Sequence, residues 1–206
     1  MRYLILAVVL AFAACTKEKP VEKQAADVGV DVRKDPIGAL GAIGKMAKDA
    51  EKAQKEMENM KPVDPLHFSK LLEVLPDAPS GWTASEPKGE STTMGEMKIS
   101  QANRTYSKES GGEVKVTVTD WAYHQALYMP FLLQANFSQE STDGYSKGIK
   151  IGEDPGREEY KIKARDGKRS VLVGKRYNVS LDITDLAPSA FDEWWARVKL
   201  ASLPAK

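Results

Sequence analysis

The sequence predicts an α+β domain, a mainly antiparallel sheet with helices packed on it. Three observations carry that prediction. Two segments alternate between apolar and polar residues: Val114, Val116 and Val118 against Lys115, Thr117 and Thr119, and Tyr177, Val179, Leu181 and Ile183 against a polar outer face. Period two is the signature of a half-buried strand. The links between strand-like segments are short and rich in turn residues, at Ser110-Gly111-Gly112, Asp143-Gly144 and Asp166-Gly167. Such links make hairpins, and hairpins make antiparallel sheets. The chain then closes on Phe191, Trp194, Trp195 and Val198, spaced i, i+3, i+4, i+7 as on one face of a helix.

The composition bounds the function. Apolar residues make up 42% and charged residues 29% of 206 residues, the balance of a globular domain with appendages. A net charge of +1 gives no field that would gather nucleic acid. One cysteine, Cys15, excludes an intramolecular disulfide and any Cys-rich zinc site.

The amino terminus has the order of an export signal over residues 1–14. Arg2 supplies charge, Tyr3 to Phe12 is an unbroken apolar run, and Ala13-Ala14 leads into Cys15. The run is shorter than the roughly 20 residues a membrane-spanning helix needs. Phe12-Ala13-Ala14-Cys15 resembles the bacterial lipobox, with Phe12 where that family prefers Leu. The resemblance implies that Cys15 receives diacylglycerol on sulfur, becomes the amino terminus and is acylated there. Two or three acyl chains hold firmly where one holds marginally. Thr16 in place of Asp resembles the pattern sorted to the outer membrane, on its periplasmic face.

Residues 15–35 read as the lipidated cysteine and a tether of roughly 25 Å root-mean-square reach, polar and without aromatics. Residues 36–61 read as an amphipathic helix. Asp35 and Pro36 suit its start, and Ala39, Ile43, Met46, Ala50, Ala53, Met57 and Met60 form an apolar seam. Glu51 and Lys55 stand at i,i+4 on the other face, and Pro62 stops the helix. Gly38, Gly41, Gly44 and Lys45 do not make a phosphate loop: Ala39 occupies the position of the first glycine and Met46 follows the lysine.

The domain spans residues 63–206. Asp64-Pro65 is the expected cap of a short helix with Phe68, Leu71, Leu72 and Leu75 on one face. Pro76 to Trp82 is a rigid turn with an aromatic anchor. Met97 to Ser107 reads as a strand, and Glu113 to Trp121 as the clearest one. Ala122 to Phe137 reads as a helix through Leu127, Phe131 and Ala135, kinked at Pro130. Ile149 and Ile151, then Tyr160, Ile162 and Ala164, then Ser170 to Val173, mark further strands. Ser189 and Asp192 are the expected caps of the last helix. Glu158, Glu159 and Asp182 fall on polar strand faces and read as solvated. This order, with the Pro76 to Gly81-Trp82 opening, resembles the Mog1/PsbP-like fold, a curved antiparallel sheet with helices on its faces.

Catalytic signatures are scarce. No Gly-x-Ser-x-Gly and no His-Glu-x-x-His occurs. His67 and His124 are the two imidazoles. Asp120 and His124 bracket a strand end and an expected helix start, where they would act as acid and base if Ala122 to His124 is helical; otherwise Asp120 caps that helix. The sequence therefore reads as a membrane-anchored periplasmic lipoprotein, a non-enzymatic module that binds a protein partner or small ligand and needs no cofactor or metal. Trp82, Asp120 and His124 are its candidate surface residues. The alternative is an enzyme or metal-dependent protein using Asp120 and His124. An enzyme would show a concave pocket of polar groups with perturbed ionisation.

Overall fold

The computed structural model describes residues 61–124, 127, 128, 131 and 138–204, with Gly44, Lys48, Glu51, Lys52 and Lys55 before them. Cys15, the tether and the apolar seam of residues 36–61 lie outside the described residues. The five early positions are helical, and Lys55 Nζ lies 2.7 Å from Glu51 Oε1.

The described domain is α+β. A nine-stranded antiparallel sheet dominates it. The elements are α1 (Phe68–Leu72), β1 (Thr83–Ala84), β2 (Lys88–Met94), β3 (Met97–Ser107), β4 (Glu113–Asp120), β5 (Ser138–Ser141), β6 (Gly144–Ile151), β7 (Asp154–Lys161), β8 (Asp166–Val173), β9 (Tyr177–Thr184) and α2 (Ala190–Trp195). The spatial order is β1-β3-β4-β9-β8-β7-β6-β5, with β2 also paired to β3. The chain thus leaves β4 in mid-sheet, travels to the far edge, and returns strand by strand until β9 closes on β4.

The two alternating segments meet at the centre. Val114 pairs with Ile183, Val116 with Leu181 and Val118 with Val179. All six are buried, as are Ala102 and Tyr106 on β3. Leu71, Val74 and Leu75 from the α1 region cover this face from one side, and Phe191, Trp194 and Val198 from the other. Trp194 lies 4.6 Å from the Tyr106 ring and makes an edge contact at 4.9 Å with Trp82. The Tyr106 hydroxyl donates to Pro76 O at 2.6 Å, so the Pro76 turn is fastened to the core. β2 carries Gly89 where the Phe68 ring presses on the sheet; a Cβ there would collide with that ring. On the opposite face Leu172 and Tyr128 are buried with Trp121, Tyr123 and Phe131 around them. Part of the β4-to-β5 connection therefore lies across that face.

Several expectations are corrected. β1, β2 and β5 were not legible as strands: Lys88–Met94 and Ser138–Ser141 are polar and almost wholly exposed, so no apolar alternation marks them. β7 ends at Lys161, and Ile162 sits 52% exposed in the turn that precedes Asp166, so Ile162 and Ala164 are not strand residues. Asp166 and Gly167 begin β8 rather than forming the turn. His67, not Asp64, caps α1: its Nδ1 accepts from Ser69 N at 3.3 Å. Ser189 makes no side-chain cap bond, and Asp192 lies within α2.

Two predictions follow from the core. Trp194→Ala should lower the unfolding free energy in a urea titration by about 3–5 kcal/mol, the range for truncating a core aromatic. Trp195, half-exposed beside it, should cost clearly less; equal losses would place both rings in the core. Burial also pushes the Tyr106 hydroxyl up from 10.0 to about 12. The unfolded chain then releases this proton between about pH 10 and pH 12 while the folded chain keeps it. Stability is full below that window and falls as pH rises through it. Tyr106→Phe should make the alkaline decline in urea midpoint shallower; an unchanged slope would mean that Tyr106 contributes nothing to it.

Candidate functional site

Asp120 ends β4 on the inward face, beyond Val118 and opposite Tyr177. It is fully buried, and a buried carboxylate must be paired and hydrogen-bonded. Its Oδ1 accepts from Ala122 N at 2.8 Å and Arg176 Nε at 2.9 Å. Its Oδ2 accepts from Leu66 N at 2.8 Å and Arg176 Nη2 at 2.7 Å. Arg176 comes from the turn between β8 and β9. Its guanidinium carbon lies 5.5 Å from the centre of the Tyr123 ring and 5.0 Å from that of Tyr177. The hydrogen bond to Asp120 raises the Arg176 pKa further.

The same carboxylate shapes the backbone. Ala122 and Tyr123 are left-handed, with φ of 49° and 62°. That conformation costs roughly 1–2 kcal/mol per non-glycine residue. The bond from Asp120 to the amide two residues on is the side-chain turn that offsets it. The chain entry is tied to the same point. Val63 N donates to Ala122 O at 3.1 Å, Arg176 Nη2 reaches Asp64 O at 3.5 Å, and Lys98 Nζ holds Asp64 Oδ1 at 2.7 Å. The Lys98 hydrogen bond holds the Asp64 carboxyl below the usual range.

Residues 122–124 are therefore a turn, not the first turn of a helix. Leu127, Tyr128 and Phe131 are helical further on; Pro130 and Ala135 lie outside the described residues. Asp120 and His124 have different hydrogen-bond partners. Asp120 faces Arg176, whereas His124 Nε2 accepts from Lys98 N at 3.3 Å. Trp82 is half-buried, with Trp194 against it and Lys108 Nζ 4.6 Å from its ring centre.

Glu158 is a correction of another kind. It was expected in solvent and is 4% exposed. Its Oε1 accepts from the Tyr145 hydroxyl at 2.7 Å and its Oε2 from Arg169 Nε at 2.7 Å. Arg169 also meets Asp192 at 2.8 Å and lies over the Phe191 ring. Burial, with the Glu158 hydrogen bond, pushes the Tyr145 hydroxyl well above its ordinary value. Register was the missing signal: Glu158 and Arg169 are directly opposed across β7 and β8.

The other sheet face carries a polar row. Gln139, Ser146, Glu159, Lys168, Asp182 and Lys115 stand opposite one another in turn from β5 to β4. Lys168 Nζ lies 3.2 Å from Asp182 Oδ1, and both side chains are more than 40% exposed. An open concavity of about 660 Å³ lies over this row from Gln139 to Asp182. Among the described residues no cluster of three or more His, Cys, Asp or Glu is placed to hold a metal, and no helix is long and apolar enough to cross a membrane. Comparison of the chain with protein-family models, curated proteins and solved structures finds no match.

The clamp gives a direct test of its role. Asp120→Asn leaves the Arg176 charge without its counter-ion and should destabilise the domain by about 3–5 kcal/mol, the range for breaking a buried pair. His124→Gln, which removes one weak backbone bond, should cost about 1 kcal/mol or less. Urea unfolding of both variants measures the contrast. Asp120→Asn melting like the parent would show that Asp120 is not a structural anchor.

Proposed function

We propose that this protein is a lipid-anchored module of the bacterial cell envelope that binds a protein partner through its polar sheet face and does no chemistry of its own. The observation that carries this reading is a division of charge. The acid best placed for catalysis, Asp120, accepts four hydrogen bonds within the fold. The accessible charges instead alternate along a row, Glu159, Lys168, Asp182, Lys115, beside an open concavity. Alternating exposed charge suits a partner with the complementary pattern, since it fixes register and rejects like-charged surfaces.

The anchor rests on the order of Arg2, the apolar run and Phe12-Ala13-Ala14-Cys15, and we place the protein on the periplasmic face of the outer membrane. Within the α+β class we propose the Mog1/PsbP-like arrangement. The antiparallel sheet, the leading and closing helices and the Pro76 to Trp82 opening support it.

Cys15→Ser should abolish labelled-palmitate incorporation and release the protein from the membrane fraction; a variant that still sediments with membranes would contradict the anchor. Swapping the row's charges, Lys168→Asp with Asp182→Lys, keeps their mutual pairing and reverses the pattern. It should leave the melting curve unchanged and abolish the crosslinked complex that wild type forms in intact cells. A crosslinked complex that survives the swap would contradict the proposed face.

A further inference from the structure

The exposed charges ahead of the domain run in the same order as those of the sheet row, with opposite sign. Gly44, Lys48, Glu51, Lys52 and Lys55 are helical and exposed. Lys48, Glu51 and Lys55 share one stripe of that helix, and Glu58 continues the spacing in the sequence. At about 3.6 residues per turn the four positions fall within about 80° of one another. They read basic, acidic, basic, acidic. The row Glu159, Lys168, Asp182, Lys115, on the adjacent strands β7, β8, β9 and β4, reads acidic, basic, acidic, basic.

Spacing matches as well as sign. Neighbouring strands lie about 4.8 Å apart, so the row spans about 14 Å. A helix rises about 1.5 Å per residue, so Lys48, Glu51, Lys55 and Glu58 step by about 4.5, 6 and 4.5 Å and span about 15 Å. Four same-face side chains of an extended strand would span about 20 Å. One direction fits: reversed, every charge meets its like. Existing pairs need not break. Lys168 already meets Asp182, and Lys55 meets Glu51. Laid together, these four form a ring in which each charge has two opposite neighbours. All four side chains are more than 40% exposed, so each can turn toward a new neighbour without leaving water.

We infer that the partner of the polar face is a second copy of this chain, which lays its stripe Lys48, Glu51, Lys55, Glu58 along Glu159, Lys168, Asp182, Lys115. The inference rests on the reading of that face as a partner surface and names the partner. A copy's own stripe is too short-leashed to lie there. Five residues lead from Glu58 to Val63, a reach of at most about 18 Å, and Val63 is held at Ala122. Lys115 lies about 17 Å from Asp120 along β4, and an element packed on a sheet face stands about 10 Å above it, a separation of about 20 Å. One exposed ion pair strengthens a contact about fivefold at most. The association therefore draws on all four pairs and on the raised local concentration of copies anchored to one membrane.

The test uses differently tagged copies of the full chain, crosslinked in intact cells with formaldehyde. One variant carries Glu51→Lys with Lys55→Glu, the other Lys168→Asp with Asp182→Lys; each swap keeps the number of lysines and its own internal pair. Wild-type copies should co-purify at twice the chain mass. Each variant should crosslink to itself about tenfold less, since two attractive pairs become repulsive. The two variants expressed together should crosslink to each other as wild type does, because the reversed stripe meets the reversed row. A damaged fold would not be rescued by such a mixture. Undiminished self-crosslinking of the Glu51→Lys, Lys55→Glu variant, or no crosslinking between the two variants, would overturn the proposal. If the row swap abolishes the wild-type complex while the stripe swap leaves it intact, the polar face stands and its partner is a different protein. A complex that survives the row swap counts against the face itself.

Discussion

The buried pair Asp120–Arg176 is the constraint on which this end of the domain depends. A carboxylate with no solvent must find donors, and Asp120 finds four from three separate parts of the chain. Each donor fixes something different. The Leu66 amide fixes where the chain enters the domain. The Ala122 amide fixes the left-handed turn that leaves β4. The guanidinium fixes the turn that feeds β9. The register between β4 and β9, which holds the sheet centre together, lies directly beyond this point. Such a pair adds little net stability compared with an apolar replacement, but removing one partner is severe. Its contribution is to make one arrangement of three segments the only satisfied one.

The left-handed turn has a consequence for the topology. By reversing the chain after β4, it directs the connection onto the face opposite the main core, where Tyr128 and Phe131 pack with Trp121 and Leu172. The chain then reaches the far edge and returns through four hairpins. The inward face receives the helices and the larger core. The outward face keeps its polar rows, and the concavity over them stays open. Charges divide in the same way: Glu158 and Arg169 face inward and neutralise each other under α2, while Lys168 and Asp182 face outward within reach of a partner.

The central strands and the closing helix could be read directly from the sequence, because Val114 to Val118, Tyr177 to Ile183 and Phe191 to Val198 set apolar residues at the period of their element and bury them. Segments that bury little gave no such signal. β2 and β5 are strands because a neighbour offers them a hydrogen-bonding edge, not because their side chains demand it. β7 was half hidden because its inward positions are Gly156, Glu158 and Tyr160, and a glutamate reads as solvent-facing until its arginine is known. The site shows the same limit. Asp120 and His124 stand out in the chain, yet the partner that decides the role of Asp120 lies 56 residues later.

The central claim is that Asp120 and Arg176 act as one structural unit. A double-mutant cycle with Asp120→Leu and Arg176→Met, measured by urea unfolding, tests it most directly. The account predicts that each single variant is strongly destabilised, and that the double variant recovers much of the loss, with a coupling energy of about 2–3 kcal/mol. Additive losses, with the double variant as unstable as the sum of the two singles, would contradict it.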